Sequence, residues 1–259
     1  MLKPAYCIQE KGEKDFVREI GVDEAGRGPM LGRVYTAAVI LPPDCESFNH
    51  ALMKDSKKFH SEKKIKEAAA YIKEKAIAWA IAYSDEKVVD EINIRNATHR
   101  AMHTAIGGAL PLGDAPARSA SPHPLLEKAD HSVGVVLYQK GGMAGGAEPQ
   151  KGGVGDSPPL LLIDGNDFTP FVHNHKRYQH VCIEGGDNTY SSIAAASILA
   201  KVARDEYIAE LCKKEPLLID HYDLLKNKGY GTKKHMDGIR AHGITPYHRK
   251  TYGICRDYS

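Results

Sequence analysis

The sequence of 259 residues is poor in cysteine and in long apolar runs, and each shortage excludes a class of protein. Its five cysteines are odd in number, widely scattered and free of Cys-x-x-Cys spacing, which argues against a disulfide framework and a zinc ribbon. No run approaches the roughly 18 apolar residues of a membrane-spanning helix, and the first residues lack the apolar stretch of a secretion signal. We therefore expect a cytoplasmic protein that does not contact a membrane.

Net charge is also small, at +2, but the positive charge is unevenly distributed. Residues 51–75 hold eight lysines against four acids, and residues 221–259 hold eight Lys or Arg against three acids, with tyrosines interleaved. Basic stretches are usually just solvated faces. A basic surface with aromatics also suits a nucleic-acid backbone, so nucleic acid is the expected partner.

Hydrophobic periodicity predicts an α/β fold with a mixed sheet flanked by helices. Five segments read as strands, the first three forming a meander, at residues 16–22, 33–41, 76–83, 160–164 and 180–184. Three segments read as helices, with Ser61 and Asp85 opening the first two, at residues 61–75, 85–110 and 188–214. The alanines of the last helix favour close packing against the sheet.

Residues 111–158 differ from the rest in composition, since they are rich in Gly, Pro, Ala and Ser. A run of that length without structure is unusual inside a compact domain, so we interpret it as an inserted, flexible loop. Its one apolar island, "VGVVLY" at 133–138, reads equally as a strand or as an adhesive patch.

Four carboxylates lie at the ends of predicted strands or just before a predicted helix. They are Asp23 and Glu24 in "GVDEAGRGP", Asp164 at the end of "LLLID", and Asp187 in "EGGD". Each one alone suits a turn or a helix cap. A mixed sheet can bring strand ends together, however, and four clustered like charges require cations. Oxygen ligands suit Mg²⁺ or Mn²⁺, and two such ions about 4 Å apart support phosphodiester cleavage.

The long predicted helix offers a second, weaker candidate site. Ser197 and Lys201 are four residues apart, so they share one face and could meet a phosphate; a surface lysine is an equally good interpretation. We expect Asp205 to pair with Arg204 or Lys201 rather than to bind metal.

Five ordered blocks resemble the signature motifs of the ribonuclease HII family: "GVDEAGRGPMLG", "DSKKF", "LLIDGN", "GGDNTYSSIAAASILAKVARDEY" and "KGYGTKKHMDGIRAHGITPYHR". The resemblance spans residues 16–253 apart from 111–158. It implies a ribonuclease H-like core, here residues 1–214, followed by a C-terminal helical substrate-binding region at 215–259. It also implies hydrolysis of the RNA strand of RNA/DNA hybrids, and cutting 5′ to single ribonucleotides in duplex DNA, with Mg²⁺ or Mn²⁺.

The resemblance also assigns roles to residues. The catalytic metal ligands would be the four carboxylates, Asp23, Glu24, Asp164 and Asp187. The ribose 2′-OH would be read by the loop Gly26-Arg27-Gly28, where a Cβ would obstruct close approach. Tyr230 would stack on the deoxyribose side of the RNA-to-DNA junction.

Two alternatives stay open beside a type 2 ribonuclease H. One is another metal-dependent nuclease or resolvase on the same fold, and the other is a binding protein that has lost activity. The presence of all four carboxylates argues against the second alternative. The continuous core favours a monomer.

Overall fold

The computed structural model describes residues 2–6, 18–110, 133–138 and 158–259, with the backbone alone for 133–138. Phe16 and Val17, with which the first strand was expected to begin, lie outside these ranges. Within them the chain forms one large sheet covered by helices on both faces, and a small two-stranded sheet. The predicted α/β class is therefore confirmed.

The large sheet has six strands in the order β4-β3-β2-β1-β5-β8. In the part of the chain that the structure describes, the strands are β1 (Glu19–Ala25), β2 (Val34–Ile40), β3 (Ala78–Ser84), β4 (Val133–Tyr138), β5 (Leu160–Asp164), β6 (Val172–His173), β7 (Lys176–Arg177) and β8 (His180–Ile183). The first three form the predicted antiparallel meander, while β5 runs parallel to β1 and β8 runs parallel to β5. This arrangement places the ends of β1, β5 and β8 at one edge of the sheet.

The described residues form six α-helices: α1 (Glu62–Lys75), α2 (Glu86–Ala109), α3 (Ser191–Lys214), α4 (Leu217–Tyr222), α5 (Leu224–Asn227) and α6 (Lys233–His242). The first three cover the sheet. The predicted caps are confirmed, because the side chain of Ser61 accepts from Lys64 N and that of Asp85 accepts from Val88 N. Helix α3 begins three residues later than predicted, since Gly186–Asn188 form a separate 3-10 turn.

The strands of the meander are buried on both faces. In β2, Ala37 and Val39 pack with α1 and α3, whereas Ala38 and Ile40 pack with α2. Helix α3 approaches β1 so closely that a Cβ on Gly21 would lie 2.2 Å from the backbone of Ser192. The predicted close packing of the α3 alanines is confirmed, since they are fully buried, at positions 194, 195, 196 and 200.

The apolar island at 133–138 is a strand. β4 pairs antiparallel with β3 along its whole length, with Trp79 opposite Tyr138 and Ser84 opposite Val133. For these six residues the strand alternative is confirmed and the interpretation as loop is wrong, because an apolar segment next to a free sheet edge can pair the backbone groups of one side there. The rest of the insertion, at 111–132 and 139–157, lies outside the described residues.

The C-terminal helices pack on the end of α3 that is remote from its start. Leu218, Tyr222 and Ile239 form one apolar cluster with Ile208 and Leu211 of α3. The same cluster includes Met30 and Leu31, which follow the glycine-rich loop after β1. Among the residues that the structure describes, none of the helices is long and apolar enough to cross a bilayer.

Candidate active site

The register of the sheet brings Asp23 and Asp164 together. Val22 of β1 lies beside Ile163 of β5, so the next residues along these parallel strands are the two aspartates. Gly21 faces α3, and side chains two residues apart on a strand point to the same face. Asp23, and Asp164 beside it, therefore point to the face of the sheet that α3 covers. The site therefore lies between two strand ends and the first turns of α3.

Asp187 joins these aspartates through the 3-10 turn between β8 and α3. Asp164 Oδ1 accepts from Gly186 N at 2.7 Å and lies 3.4 Å from Asp187 N. Asn188 Nδ2 donates to Asp187 Oδ1 at 3.0 Å. Since Tyr190 occupies the N-cap position of α3, Asp187 does not cap that helix.

Burial and mutual repulsion act on all four carboxyl groups. Desolvation raises the pKa of Asp23 well above its usual value, and the neighbouring charges of Glu24 and Asp164 raise it further. Desolvation likewise raises the pKa of Asp164, and for Asp187 the Asp164 charge adds to the increase in pKa. The pKa of Glu24 is raised by desolvation but partly restored by the Arg27 charge. Ionised together, these groups destabilise one another.

The donor chemistry of this cluster fits a hard divalent cation. Its ligands would be carboxylate oxygens, and a cation among them would offset the burial and the repulsion that raise their pKa values. In the described parts of the chain, no three Asp, Glu, His or Cys side chains are already drawn together as a finished metal site. The four carboxylates therefore influence one another's pKa values, but their side chains are not arranged as a complete metal site.

Two residues that the sequence did not assign also face the cluster. Asp55 accepts from Lys57 N at 2.8 Å and from Asn188 Nδ2 at 3.4 Å, and its charge helps to raise the pKa of Asp187. The Lys57 charge acts in the opposite direction and lowers the pKa of Asp164. The only signal in the sequence was the block "DSKKF", which indicated no role for either residue.

The glycine-rich loop after β1 is held by a buried arginine. The Arg249 guanidinium is fully buried and donates to four main-chain carbonyl oxygens, those of Gly26 at 2.7 Å, Arg27 at 3.0 Å, Pro29 at 2.8 Å and Gly32 at 2.9 Å. One side chain therefore fixes the path of the whole loop.

Positions 26 and 28 of the loop Gly26-Arg27-Gly28 differ in whether the fold requires glycine there. Gly26 has φ +97°, and a Cβ there would lie 2.2 Å from Arg204 Nε, so no larger residue fits. A Cβ on Gly28 would lie 3.4 Å from the Tyr230 ring, which is ordinary contact. The free protein thus requires glycine at 26, while at 28 only close approach of a ligand would require it.

Arg27 and Tyr230 connect this loop to the carboxylates and to solvent. The Arg27 side chain is 53% exposed and its Nη1 lies 3.4 Å from Glu24 Oε1. The Tyr230 ring is 51% exposed and lies next to Gly28, with the Arg204 guanidinium 5.9 Å from its centroid. Arg204 itself donates to Lys228 O at 2.7 Å. An exposed aromatic ring therefore borders the loop, supported by a buried cation.

Ser197 and Lys201 share a face of α3 but have separate neighbours. Ser197 is 5% exposed, its hydroxyl lies 3.0 Å from Ser56 Oγ, and its hydrogen bond to Asp23 lowers the pKa of that carboxyl. Lys201 pairs with Asp205, which confirms the expected partner of that aspartate. A joint phosphate contact of Ser197 and Lys201 stays a prediction.

The chain is similar to known proteins over most of its length. The family model for ribonuclease HII matches residues 20–113 and 152–255, on either side of the insertion. A ribonuclease HII from Parabacteroides distasonis is 40% identical over 236 residues, covering 91% of this chain and 90% of the relative. One from Cytophaga hutchinsonii is 37% identical over 241 residues, covering 90% and 88%.

Solved structures share the fold at low sequence identity. The ribonuclease H2 from Pyrococcus horikoshii superposes with a TM-score of 0.59 at 17% identity, covering 93% of this chain and 96% of that one. The ribonuclease HII in a complex with PCNA from Archaeoglobus fulgidus gives 0.56 at 18% identity, covering 92% and 96%. With the family model matching most of its length, the chain belongs to the ribonuclease HII family.

Proposed function

We propose that this protein is a metal-dependent endoribonuclease that hydrolyses the RNA strand of RNA/DNA hybrids. We extend the proposal to cutting on the 5′ side of single ribonucleotides embedded in duplex DNA. The observation that carries it is the contact between two parts of the site: Arg27, in the glycine-rich loop, reaches Glu24 at the edge of the carboxylate cluster. Groups suited to hydrolysis and groups suited to recognising a sugar thus meet at one place.

Asp23, Glu24, Asp164 and Asp187 would hold Mg²⁺ or Mn²⁺. Two such ions, when bound, activate a water and stabilise the leaving oxygen of a phosphodiester. The protein's own contribution is to keep the four carboxyl groups close although burial and repulsion disfavour their ionised forms. Asp164 is oriented for this by the Gly186 and Asp187 amides.

Substrate recognition falls to the loop and to the C-terminal region. The backbone of Gly26-Arg27-Gly28, which Arg249 immobilises, would approach the ribose and read its 2′-OH. Tyr230, half exposed beside Gly28, would stack on the sugar beyond the scissile ribonucleotide. Ser197 and Lys201 of α3 would contact a phosphate group of the substrate backbone.

We further propose that residues 1–214 form the catalytic unit and residues 215–259 the substrate-binding unit of a cytoplasmic monomer. Support for a monomer comes from the site, whose proposed residues all belong to one chain. The described cysteines are free thiols, which suits a reducing compartment. Light scattering on the purified protein would give one chain's mass if the proposal is right.

The decisive experiment compares a DNA duplex that carries one ribonucleotide with an all-DNA duplex of the same sequence. Mg²⁺, Mn²⁺ and a chelator are tested separately. We expect a single cut 5′ to the ribonucleotide with either metal, no cut with the chelator and no cut in the all-DNA duplex. Equal cutting of both duplexes would indicate a nuclease that ignores the sugar, and binding without cutting under any condition would indicate an inactive binding protein.

A further inference from the structure

Two buried histidines lie behind Tyr230, outside the carboxylate cluster. His235, in α6, and His248, next to Arg249, are both essentially inaccessible, and their Nε2 atoms are 3.1 Å apart. The Tyr222 ring packs against both, with centroid distances of 5.8 Å to His235 and 5.0 Å to His248. A direct contact between two imidazole nitrogens requires that one carries a proton and the other does not.

Hydrogen-bond partners at the two ends of the pair determine which nitrogen carries the proton. His235 Nδ1 lies 3.0 Å from the carbonyl oxygen of Tyr230, which can only accept, so Nδ1 is protonated. At the other end, the backbone amide of Thr245 can only donate, and it lies 2.9 Å from His248 Nδ1, which must therefore be unprotonated. His248 then donates from Nε2 to His235 Nε2, so the partners at the two ends of the pair require the same placement of the protons.

The result is a chain of three hydrogen bonds with one direction, from the Thr245 amide through His248 and His235 to the Tyr230 carbonyl. Each ring is neutral in this arrangement, since a second proton on either would set two donors against each other. Burial supports neutrality, because desolvation lowers the pKa of His248 to about 3 and also lowers the pKa of His235.

The position of His248 connects this chain to the glycine-rich loop. Leu31 forms a bridge with His248, and Arg249 N donates to Met30 O at 2.8 Å. Met30 N in turn donates to Gly229 O at 2.8 Å, next to Tyr230. The dipeptide His248-Arg249 therefore fixes both recognition elements, the loop through Arg249 and Tyr230 through the histidine pair.

We propose that His235 and His248 are positioning residues: as a neutral, oriented pair they fix the backbone of Tyr230 relative to Gly26-Arg27-Gly28 and so set selectivity for a lone ribonucleotide. The inference rests on the proposed function, since it supposes that Tyr230 contacts substrate. It assigns the pair no part in the hydrolytic step.

A matched pair of variants separates positioning from general stability. In His235→Asn, the side-chain amide nitrogen overlaps the position of Nδ1 and can still donate to Tyr230 O, whereas the contact with His248 is lost. His235→Gln keeps a polar atom near Nε2 for His248 but places no donor at Tyr230 O. Each variant breaks one link of the chain, so both should lose similar thermal stability. His242→Gln is the control: His242 lies at the exposed C-terminal end of the same helix, where its ring stacks on His221 and does not touch the histidine pair.

Only His235→Gln should lose selectivity. We expect its kcat/KM on a single-ribonucleotide duplex to fall about tenfold, the scale of one hydrogen bond, while a uniform RNA/DNA hybrid loses less than about threefold. His235→Asn and His242→Gln should stay within about threefold of the wild type on both substrates. Combining His235→Gln with Tyr230→Ala should add no further loss to that of Tyr230→Ala, because the two changes act on one contact.

A spectroscopic measurement on the wild type requires no variant to fold. Imidazole ¹⁵N NMR should show His235 protonated at Nδ1 and His248 at Nε2, with neither ring titrating between pH 8 and pH 5. The opposite tautomers, or titration of either ring near the usual value of about 6.5, would overturn the inference.

The outcomes distinguish this inference from the proposed function. If Tyr230→Ala loses selectivity and His235→Gln does not, the pair has no positioning role, although the proposed function stands. If wild type cuts all-DNA and ribonucleotide duplexes equally, or if Tyr230→Ala is unimpaired, substrate recognition by Tyr230 fails and the inference fails with it.

Discussion

The carboxylate cluster and the glycine-rich loop lie side by side, joined by the contact of Arg27 with Glu24, but they are stabilised in opposite ways. In the cluster, buried acids lie next to other acids, and both effects raise their pKa values. In the loop, the buried charge of Arg249 meets four carbonyl oxygens. The pKa of Arg249 falls to about 10 through desolvation, so the group stays charged at neutral pH.

Of the two parts of the site, the fold depends on the loop rather than on the carboxylate cluster. A cluster of like charges opposes folding, so removing one charge reduces the repulsion in the folded state. A buried cation whose three nitrogens all donate hydrogen bonds supports folding, so removing it leaves several carbonyl groups without that partner. We therefore expect activity and stability to respond differently in the two halves of the site.

The largest effect is expected from neutralising one carboxylate. Asp164→Asn or Asp187→Asn should lower kcat on an RNA/DNA hybrid at least about a thousandfold, roughly 4 kcal/mol of barrier, because a ligand charge is lost. The free energy of unfolding in urea should be unchanged or higher, since burial first and neighbouring carboxylate charges second raise these pKa values and so disfavour the ionised groups in the folded state. Variants that are largely unfolded, or that keep activity within about tenfold, would contradict the assignment of these residues as ligands.

The opposite response is expected from Arg249→Met. It removes the Arg249 hydrogen bonds to four carbonyl oxygens, of which that of Arg27 keeps the Tyr252 hydroxyl as a donor. The free energy of unfolding should therefore fall by about 3 kcal/mol. Arg240→Met is the control, because Arg240 is exposed on α6 and pairs with Asp237 at the surface. Urea unfolding of both variants decides the point: a change of less than about 1 kcal/mol for Arg249→Met would show that the loop is held otherwise.

A smaller and more selective effect is expected at Tyr230. Tyr230→Ala removes a half-exposed ring, so stability should barely change, while kcat/KM on a single-ribonucleotide duplex should fall roughly tenfold to a hundredfold. Tyr230→Phe should do less harm because the ring remains. Measuring the three proteins side by side tests the role of the ring, and an unimpaired Tyr230→Ala would exclude it.

The smallest effect on activity is expected from the insertion. Replacing residues 113–156 with a short Gly/Ser linker should leave hybrid cleavage within about threefold, since β3 and β2 separate β4 from the strand that carries Asp23. Stability should fall by about 1 to 3 kcal/mol, because β3 loses its partner strand.

A second variant tests whether that loss belongs to β4. It shortens the insertion on both sides but keeps residues 131–140, and it should unfold at nearly the urea concentration of the wild type. Equal stability of both variants would mean that β4 contributes nothing to the fold.

Local patterns along the chain were sufficient to predict most secondary-structure elements and the candidate site residues. Periodicity identified the meander, β5, β8 and the three long helices, and Ser61 and Asp85 marked two helix starts, since these are local properties of the chain. Ordered motifs indicated the family. They also indicated which acids to examine, because each acid followed a strand or preceded a helix.

The contacts between distant segments are visible in the folded chain alone. The fold pairs 133–138 with β3, brings Asp55 to Asn188 beside Asp187, and places Arg249 on the carbonyl groups of a loop more than two hundred residues earlier. No local pattern encodes these contacts, because a buried guanidinium or a neutral histidine pair is defined by partners that the fold supplies. The direction of the His235 and His248 chain likewise follows only from the atoms at its two ends.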